Sequence, residues 1–311
     1  MSTKTNRDLC RVLSLYPKAI SHLRWQVSQK RFGPVLGAGV SVDFGVPGWS
    51  QLVTAIAADD QVRGKTLLNG RVSRNSYPYK TEMLFQRFRS RHPVGRSSLT
   101  ALEKQNTILA DWLKLCQSHL YGKTKPRFES EIAKHPYLPA LIPLVQESYV
   151  TVNFNFDDIL ERALSAKRRE KDVGNRGFEA VTDPWPQFRR TDAVIYHPHG
   201  YVPFGLMENA VDRFVFSEAS YSKQYVGARG HDTSFLLAHF ARHTCLLIGC
   251  SLEDELRSVL MRGAEINPGN YHYYVHYVRE GASLAQTQRD LIADKLQGIQ
   301  PCDAIPDVER D

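Results

Sequence analysis

The segment Phe32-Gly33-Pro34-Val35-Leu36 runs directly into Gly37-Ala38-Gly39-Val40-Ser41 and then Gly45-Val46-Pro47, and it restricts the fold more than any other stretch. A short apolar run bounded by turn residues reads as a buried strand. The glycines that follow permit a tight turn and a close approach of backbone. Ser50 can then cap a helix carrying Leu52, Val53 and Ile56. Strand, glycine turn and helix in that order open a nucleotide-binding α/β unit, with backbone N–H groups and a helix N-terminus available to a diphosphate. Taken alone, the turn fits a phosphate loop or a plain tight turn equally well.

The alternation resumes further on. Ser148–Val152, Ala193–Tyr196, Arg213–Phe216, Cys245–Ile248 and Tyr271–Val278 read as strands, and Asp157–Arg168 as a helix with Ile159, Leu160, Ala163 and Leu164 inward. Residues 60–145 differ. Met83, Leu84, Phe85 and Phe88, and then Leu102, Ile108, Leu109, Trp112, Leu115 and Leu120, recur at helical spacing, which marks core-facing stripes. Leu15–Lys30 is a polar amphipathic stretch ahead of the first strand. The expected architecture is α/β: a Rossmann-like parallel sheet with helices on both faces. Residues 1–59 and 146–300 would form that domain, 60–145 a helical insertion, and 301–311 a polar tail.

Composition removes several classes. With 311 residues, 42% of them apolar, the chain can bury a sizeable core and does not read as disordered. A net charge of +7 permits contact with anions without demonstrating it. No long apolar run suggests a membrane span, and the first residues carry no secretory signal. The five cysteines, at 10, 116, 245, 250 and 302, form no C-x-x-C, so a four-cysteine zinc site is not expected and a reducing, cytoplasmic setting is. Cys245 and Cys250 flank an apolar run and read as buried small hydrophobes.

Four polar clusters fall at the carboxyl ends of the expected strands, where ligands of such sheets bind. They are the glycine turn, Asn153–Asp157, His197–Pro203 and Gly249–Asp254. Familiar alternatives miss on spacing. Val42 stands where a dinucleotide fingerprint wants glycine or alanine, although Asp59 lies at the distance of its acidic residue. Both Gly-Lys-Thr triplets, at 64 and 122, lack the upstream glycine of a P-loop, and Gly249-Cys250-Ser251-Leu252-Glu253 lacks the final glycine of a nucleophile elbow.

Together the clusters resemble the sirtuin-like NAD-binding family. Its G-A-G-x-S and G-[IV]-P pattern is met at Gly37, Ala38, Gly39, Ser41, Gly45, Val46 and Pro47. Asn155-Phe156-Asp157-Asp158-Ile159-Leu160-Glu161 matches the second motif, with Asn153-Phe154 where two threonines are common. His199-Gly200 matches the third, and Gly249-Cys250-Ser251 with Asp254 the last. The resemblance implies a helical insertion in place of the deacylases' zinc ribbon, as in the zinc-free antiphage-defence branch. It implies NAD as substrate, no zinc, and cleavage to nicotinamide and ADP-ribose. It also implies an oligomer, with an ATPase or sensor protein as partner, since a chain of this size leaves little room for sensing.

Each candidate keeps a plainer alternative. Asn155 would hold the attacking water, or merely cap the following helix. His199 would contact the ribose or act as base, or make a structural hydrogen bond. Asp157 would orient Asn155 or bind the carboxamide, or balance helix charge. Ser41 would bond a phosphate or brace its turn. Gly37, Ala38 and Gly39 would approach the diphosphate, and Gly249, Ser251 and Asp254 the adenosine ribose, unless the last two form a cap. His197 and His199 as a metal pair is disfavoured by Pro198 and by the absence of a carboxylate motif; no metal is expected. His239 and His243 lack the glutamate of a zinc protease and read as a solvated helix face, as does the basic end Lys167–Lys171; nucleic acid is not expected as a direct ligand. The alternatives in function are a zinc-free deacylase or ADP-ribosyltransferase, and a non-catalytic NAD-sensing module.

Overall fold

A computed structural model describes residues 16–70, 72, 75–93, 100–122, 131–132, 134–169, 177–182, 192–205, 216, 231–252, 254–275, 283 and 286. Strands β1 (Phe32–Leu36), β2 (Val150–Asn153), β3 (Phe178–Val181), β4 (Ala193–Tyr196), β5 (Thr244–Ile248) and β6 (Tyr273–Val275) form one sheet in the order β3-β4-β2-β1-β5-β6. Every pairing is parallel. The α/β, Rossmann-like architecture expected from the alternation is the one observed.

Neighbouring residues of one strand feed different cores. Leu36, Ala193 and Ile195 join a cluster with Leu52, Leu84, Trp112, Leu138 and Ile159. Val35, Val152, Val194, Tyr196 and Leu247 join another with Leu236, Phe240, Leu256 and Val259. A strand covered on both faces cannot alternate apolar with polar, which is why these read as continuous apolar runs. The first cluster is closed by α2 (Trp49–Ala58), α3 (Tyr77–Arg91), α4 (Ala101–Tyr121), α5 (Tyr137–Glu147) and α6 (Ile159–Arg169), the second by α7 (His231–Arg242) and α8 (Asp254–Ile266). α1 (Tyr16–Ser28) is tied to β6 through His22, whose Nδ1 lies 2.9 Å from the Tyr273 hydroxyl.

Local chemistry sets the helix boundaries. α4 starts at a full capping box, Thr100 receiving the Glu103 N–H and Glu103 receiving the Thr100 N–H. α2, by contrast, starts one residue before the serine expected to cap it. Gly48 is its N-cap, and Ser50 lies inside the first turn with its carbonyl accepting from Thr54. The edge strand β3 was not expected, because Phe178, Glu179 and Ala180 are only half-buried and carry no clear apolar signal. Of the expected strand 213–216, only Phe216 lies among the described residues; 276–278 and the tail 301–311 lie outside them. Among the described residues no helix is long and apolar enough to cross a membrane.

Candidate functional site

Strand register brings the four clusters to one level. Leu36 pairs with Asn153 on one side and with Ile248 on the other, and Val152 pairs with Tyr196. The loops after β1, β2, β4 and β5 therefore leave the sheet side by side. The chain moves from β1 to β2 in one direction and returns from β4 to β5 on the far side of β1. The carboxyl end of β1 is thus the topological switch point of the sheet.

At that point the two glycine loops interlock. The Gly37 N–H donates to the Ile248 carbonyl (3.0 Å), and the Gly39 N–H to that of Gly249 (2.9 Å). A Cβ on Gly37 would sit 2.7 Å from the Cys250 Cα, and one on Gly39 2.7 Å from the Gly249 Cα. Gly249 itself has φ +67°, the left-handed region, where a side chain is strained. These glycines are required for the crossing whatever binds above it. Val40 and Ser41 donate within the turn, so Ala38 holds the amide of this turn without an acceptor among the described residues.

Beyond β2, Asn153 turns its side chain back, its Oδ1 accepting from the Asn155 N–H at 3.1 Å. This projects Asn155 toward the β1 loop. Its Nδ2 donates to Ser41 Oγ (3.2 Å), and Ser41 Oγ donates to Asp157 Oδ1 (2.8 Å), which also accepts from the Ile159 N–H (3.1 Å). All three side chains are buried. Asp157, and not Asn155, receives the first amide of α6, and Ser41 braces the site loop instead of its own turn. The relay also orients the amide, because Nδ2 is engaged while Asn155 Oδ1, buried, has no partner among the described residues. Burial pushes the Asp157 carboxyl up to about 6, against the Ser41 and Ile159 hydrogen bonds that favour its charge.

The β4 loop supplies two histidines with different surroundings. His197 is fully buried: Nδ1 faces the Asn155 carbonyl (3.2 Å), Nε2 faces Glu161 Oε1 (2.8 Å), and its ring stacks on Tyr201. A carbonyl oxygen can only accept, so the Nδ1–H donates to it. These contacts tie β4, α6 and the Asn155 backbone together. The sequence offers His197 only a disfavoured metal pairing with His199 and does not point to this tie. The available signal was Glu161, the last residue of the second motif. His199 packs against the rings flanking Asn155, with centroids 5.3 Å from Phe154 and 6.3 Å from Phe156. Burial lowers its pKa to about 4, leaving it neutral at pH 7.

Two expectations need correction or remain partial. His239 is not on a solvated face: it is 4% exposed, stacked on His243 and set against Gly33, where a Cβ would come within 2.6 Å of its Nε2. It lies by the starts of β1 and β5, at the opposite end of the sheet. Ser251 is exposed beside Gly249, while Asp254 begins α8 with its side chain outside the described set. Cys245 and Cys250 are buried, as their apolar context required.

Residues 148–301 match the family model described as the SIR2-like domain, a span that holds Asn155, His197, His199 and Gly249 and begins after the β1 glycine turn. No curated protein matches the chain. The matched domain, the parallel sheet and the convergence of its loops make the chain similar to the SIR2-like family, a likeness consistent with an NAD-related function.

Proposed function

We propose that the protein is an NAD glycohydrolase that uses the carboxyl end of the sheet, with Asn155 and His199 as its catalytic residues. In this reaction water adds to the anomeric carbon of the ribose as the bond to nicotinamide breaks. The bonding electron pair leaves with the neutral nicotinamide, and one proton goes to solvent. The leaving ring is already cationic, so the site needs no strong acid. It has to orient one water and surround a ribose that is gaining positive charge.

The observation carrying this reading is the Asn155 amide, buried, aligned by Ser41 and Asp157, and left with an acceptor oxygen unused among the described residues. An unpaired buried carbonyl is unfavourable by about 1–3 kcal/mol, so such an atom is suited to a water or a substrate hydroxyl. Neutral His199 offers one ring nitrogen as acceptor and the other as N–H donor, which suits hydrogen bonds to the ribose hydroxyls. Asp157 would act through Ser41 on the amide or on the carboxamide. The Ala38 amide and the Gly37–Gly39 turn would face the diphosphate, and Gly249, Ser251 and Asp254 the adenosine ribose. By its resemblance the protein would be a zinc-free cytoplasmic antiphage effector that depletes NAD. It would work as an oligomer with an ATPase or sensor partner, and residues 60–145 would be its insertion.

Product analysis after incubation with NAD tests the assignment. Nicotinamide and ADP-ribose in equal amounts, with no acceptor added, are expected. Acetyl-ADP-ribose formed only with an acyl peptide would make it a deacylase, modified protein a transferase, and binding without turnover in any assembly a sensor.

A further inference from the structure

The helices between α2 and β2 do more than cover one face of the sheet. The last turns of α4 reach the loops after both β2 and β4. Gln117, one turn before Tyr121, donates from Nε2 to the Pro203 carbonyl at 2.6 Å. The Tyr121 hydroxyl donates to the Val202 carbonyl, lies 3.0 Å from Asp158 Oδ1, and accepts the Asp158 N–H at 3.0 Å. Asp158 in turn accepts the Phe204 N–H through Oδ2 at 2.9 Å. The Phe204 ring packs edge-on against the Tyr121 ring. A single buried hydroxyl therefore joins the loop that carries Asn155, three residues before Asp158, to the loop that carries His199, three residues before Val202.

We propose that Tyr121, supported by Gln117, is a positioning residue that sets the register of the Asn155 loop against the His199 loop, so that α4 controls the catalytic geometry without touching substrate. The inference rests on the hydrolase reading for its effect on turnover, though not for its effect on the loops. Sheet pairing aligns β2 and β4 only as far as Val152 and Tyr196, and residues 155–158 and 197–204 lie beyond that ladder. Past the strand ends, these loops are joined by the Phe156–Val202 backbone bond, by the His197 contact with Asn155 and by the Tyr121 junction. Burial and the neighbouring carboxylates of Asp158 and Asp157 push the phenol pKa up, so the hydroxyl keeps its proton and remains a donor. Phenylalanine in its place would keep the ring contacts and remove only the junction.

The test combines NAD kinetics with amide hydrogen exchange on the full chain, comparing wild type with Tyr121→Phe and Gln117→Ala. For Tyr121→Phe, exchange at Asp158 and Phe204 accelerates about tenfold or more while β1 and β5 stay protected. In the same variant kcat falls about tenfold, with KM within about twofold, because a misplaced reacting group lowers rate more than binding. Gln117→Ala shifts both in the same direction by less, and decides the matter alone if Tyr121→Phe does not fold. Unchanged exchange in both loops, uniform acceleration across the chain, or a raised KM with kcat intact would each overturn the proposal. If wild type releases no nicotinamide, the hydrolase reading falls, and the exchange pattern still decides whether Tyr121 registers the loops.

Discussion

The two ends of the sheet both bury histidines, and they bury them differently. At the carboxyl ends, His197 and His199 accompany Asn155, Ser41, Asp157 and Glu161, which bond to one another across three loops. At the amino ends, His239, His243 and His272 accompany aromatic rings and the bare backbone of Gly33. Burial lowers the pKa at both ends, His199 and His272 to about 4 and His239 to about 3. A perturbed pKa therefore does not distinguish a site from a packed corner in this molecule. Each end leaves a buried polar atom without a partner among the described residues, Asn155 Oδ1 at one and His239 Nε2 at the other. The distinction is that the Asn155 amide is oriented by a relay of side chains from two loops, whereas His239 Nε2 faces the backbone of Gly33 with no room for a methyl group.

The largest expected effect belongs to pH and stability, and it weights the amino end. A histidine with a lowered folded-state pKa is protonated first in the unfolded chain. Stability is then lost as pH falls below about 6.5 and continues to fall toward the folded values. Asp157 opposes this: its raised pKa of about 6 adds stability at low pH that disappears as pH rises through that value. Asp158, also raised by burial, acts in the same sense as Asp157. Five histidines (His22, His199, His239, His243 and His272) are lowered against these two carboxyls, so the unfolding free energy should rise from pH 4 to pH 6.5 by on the order of several kcal/mol, read from denaturant titrations. His239→Gln should flatten this curve more than His199→Gln. Equal flattening would show that the two ends are not electrostatically distinct.

Turnover should respond in the reverse way. His199→Ala is expected to lower the rate of NAD cleavage at least about a hundredfold, roughly 2.7 kcal/mol of barrier, with folding retained. Gly33→Ala is expected to lower unfolding free energy by about 2 kcal/mol, since its Cβ would press on His239, and to leave kcat of the folded protein unchanged. A thermal melt and an initial rate on each variant check both. The smallest effect expected is from Ser41→Ala, about tenfold in kcat, because it frees the Asn155 amide to rotate without removing it. A Ser41→Ala enzyme as slow as one lacking Asn155 would mean that Ser41 itself touches substrate.

Much of this was legible in the chain. The strand-to-glycine step at Leu36–Gly39 located the switch point, and helical spacing located α3, α4 and α6. Motif order located the loops that register then aligned. What escaped depended on partners distant in sequence. His239 looks solvated until Gly33, two hundred residues earlier, is found to leave room for its ring. His197 has no role until Glu161 and the Asn155 carbonyl meet it, and Tyr121 reads as one more core aromatic until its hydroxyl is placed between Asp158 and Val202. Ser50 lost its capping place to Gly48 because the chain leaves Pro47 already extended, letting Trp49 begin the helix and stack between Tyr77 and Phe216.

The most direct measurement is the initial rate of nicotinamide release from NAD by the assembled wild-type protein and by Asn155→Ala, at equal concentrations of folded chain. Release matched by ADP-ribose is expected in the wild type, and at least about a hundredfold less in the variant, with an unchanged melting temperature. Equal rates from the two proteins would contradict it, for the oriented amide would then take no part in the chemistry.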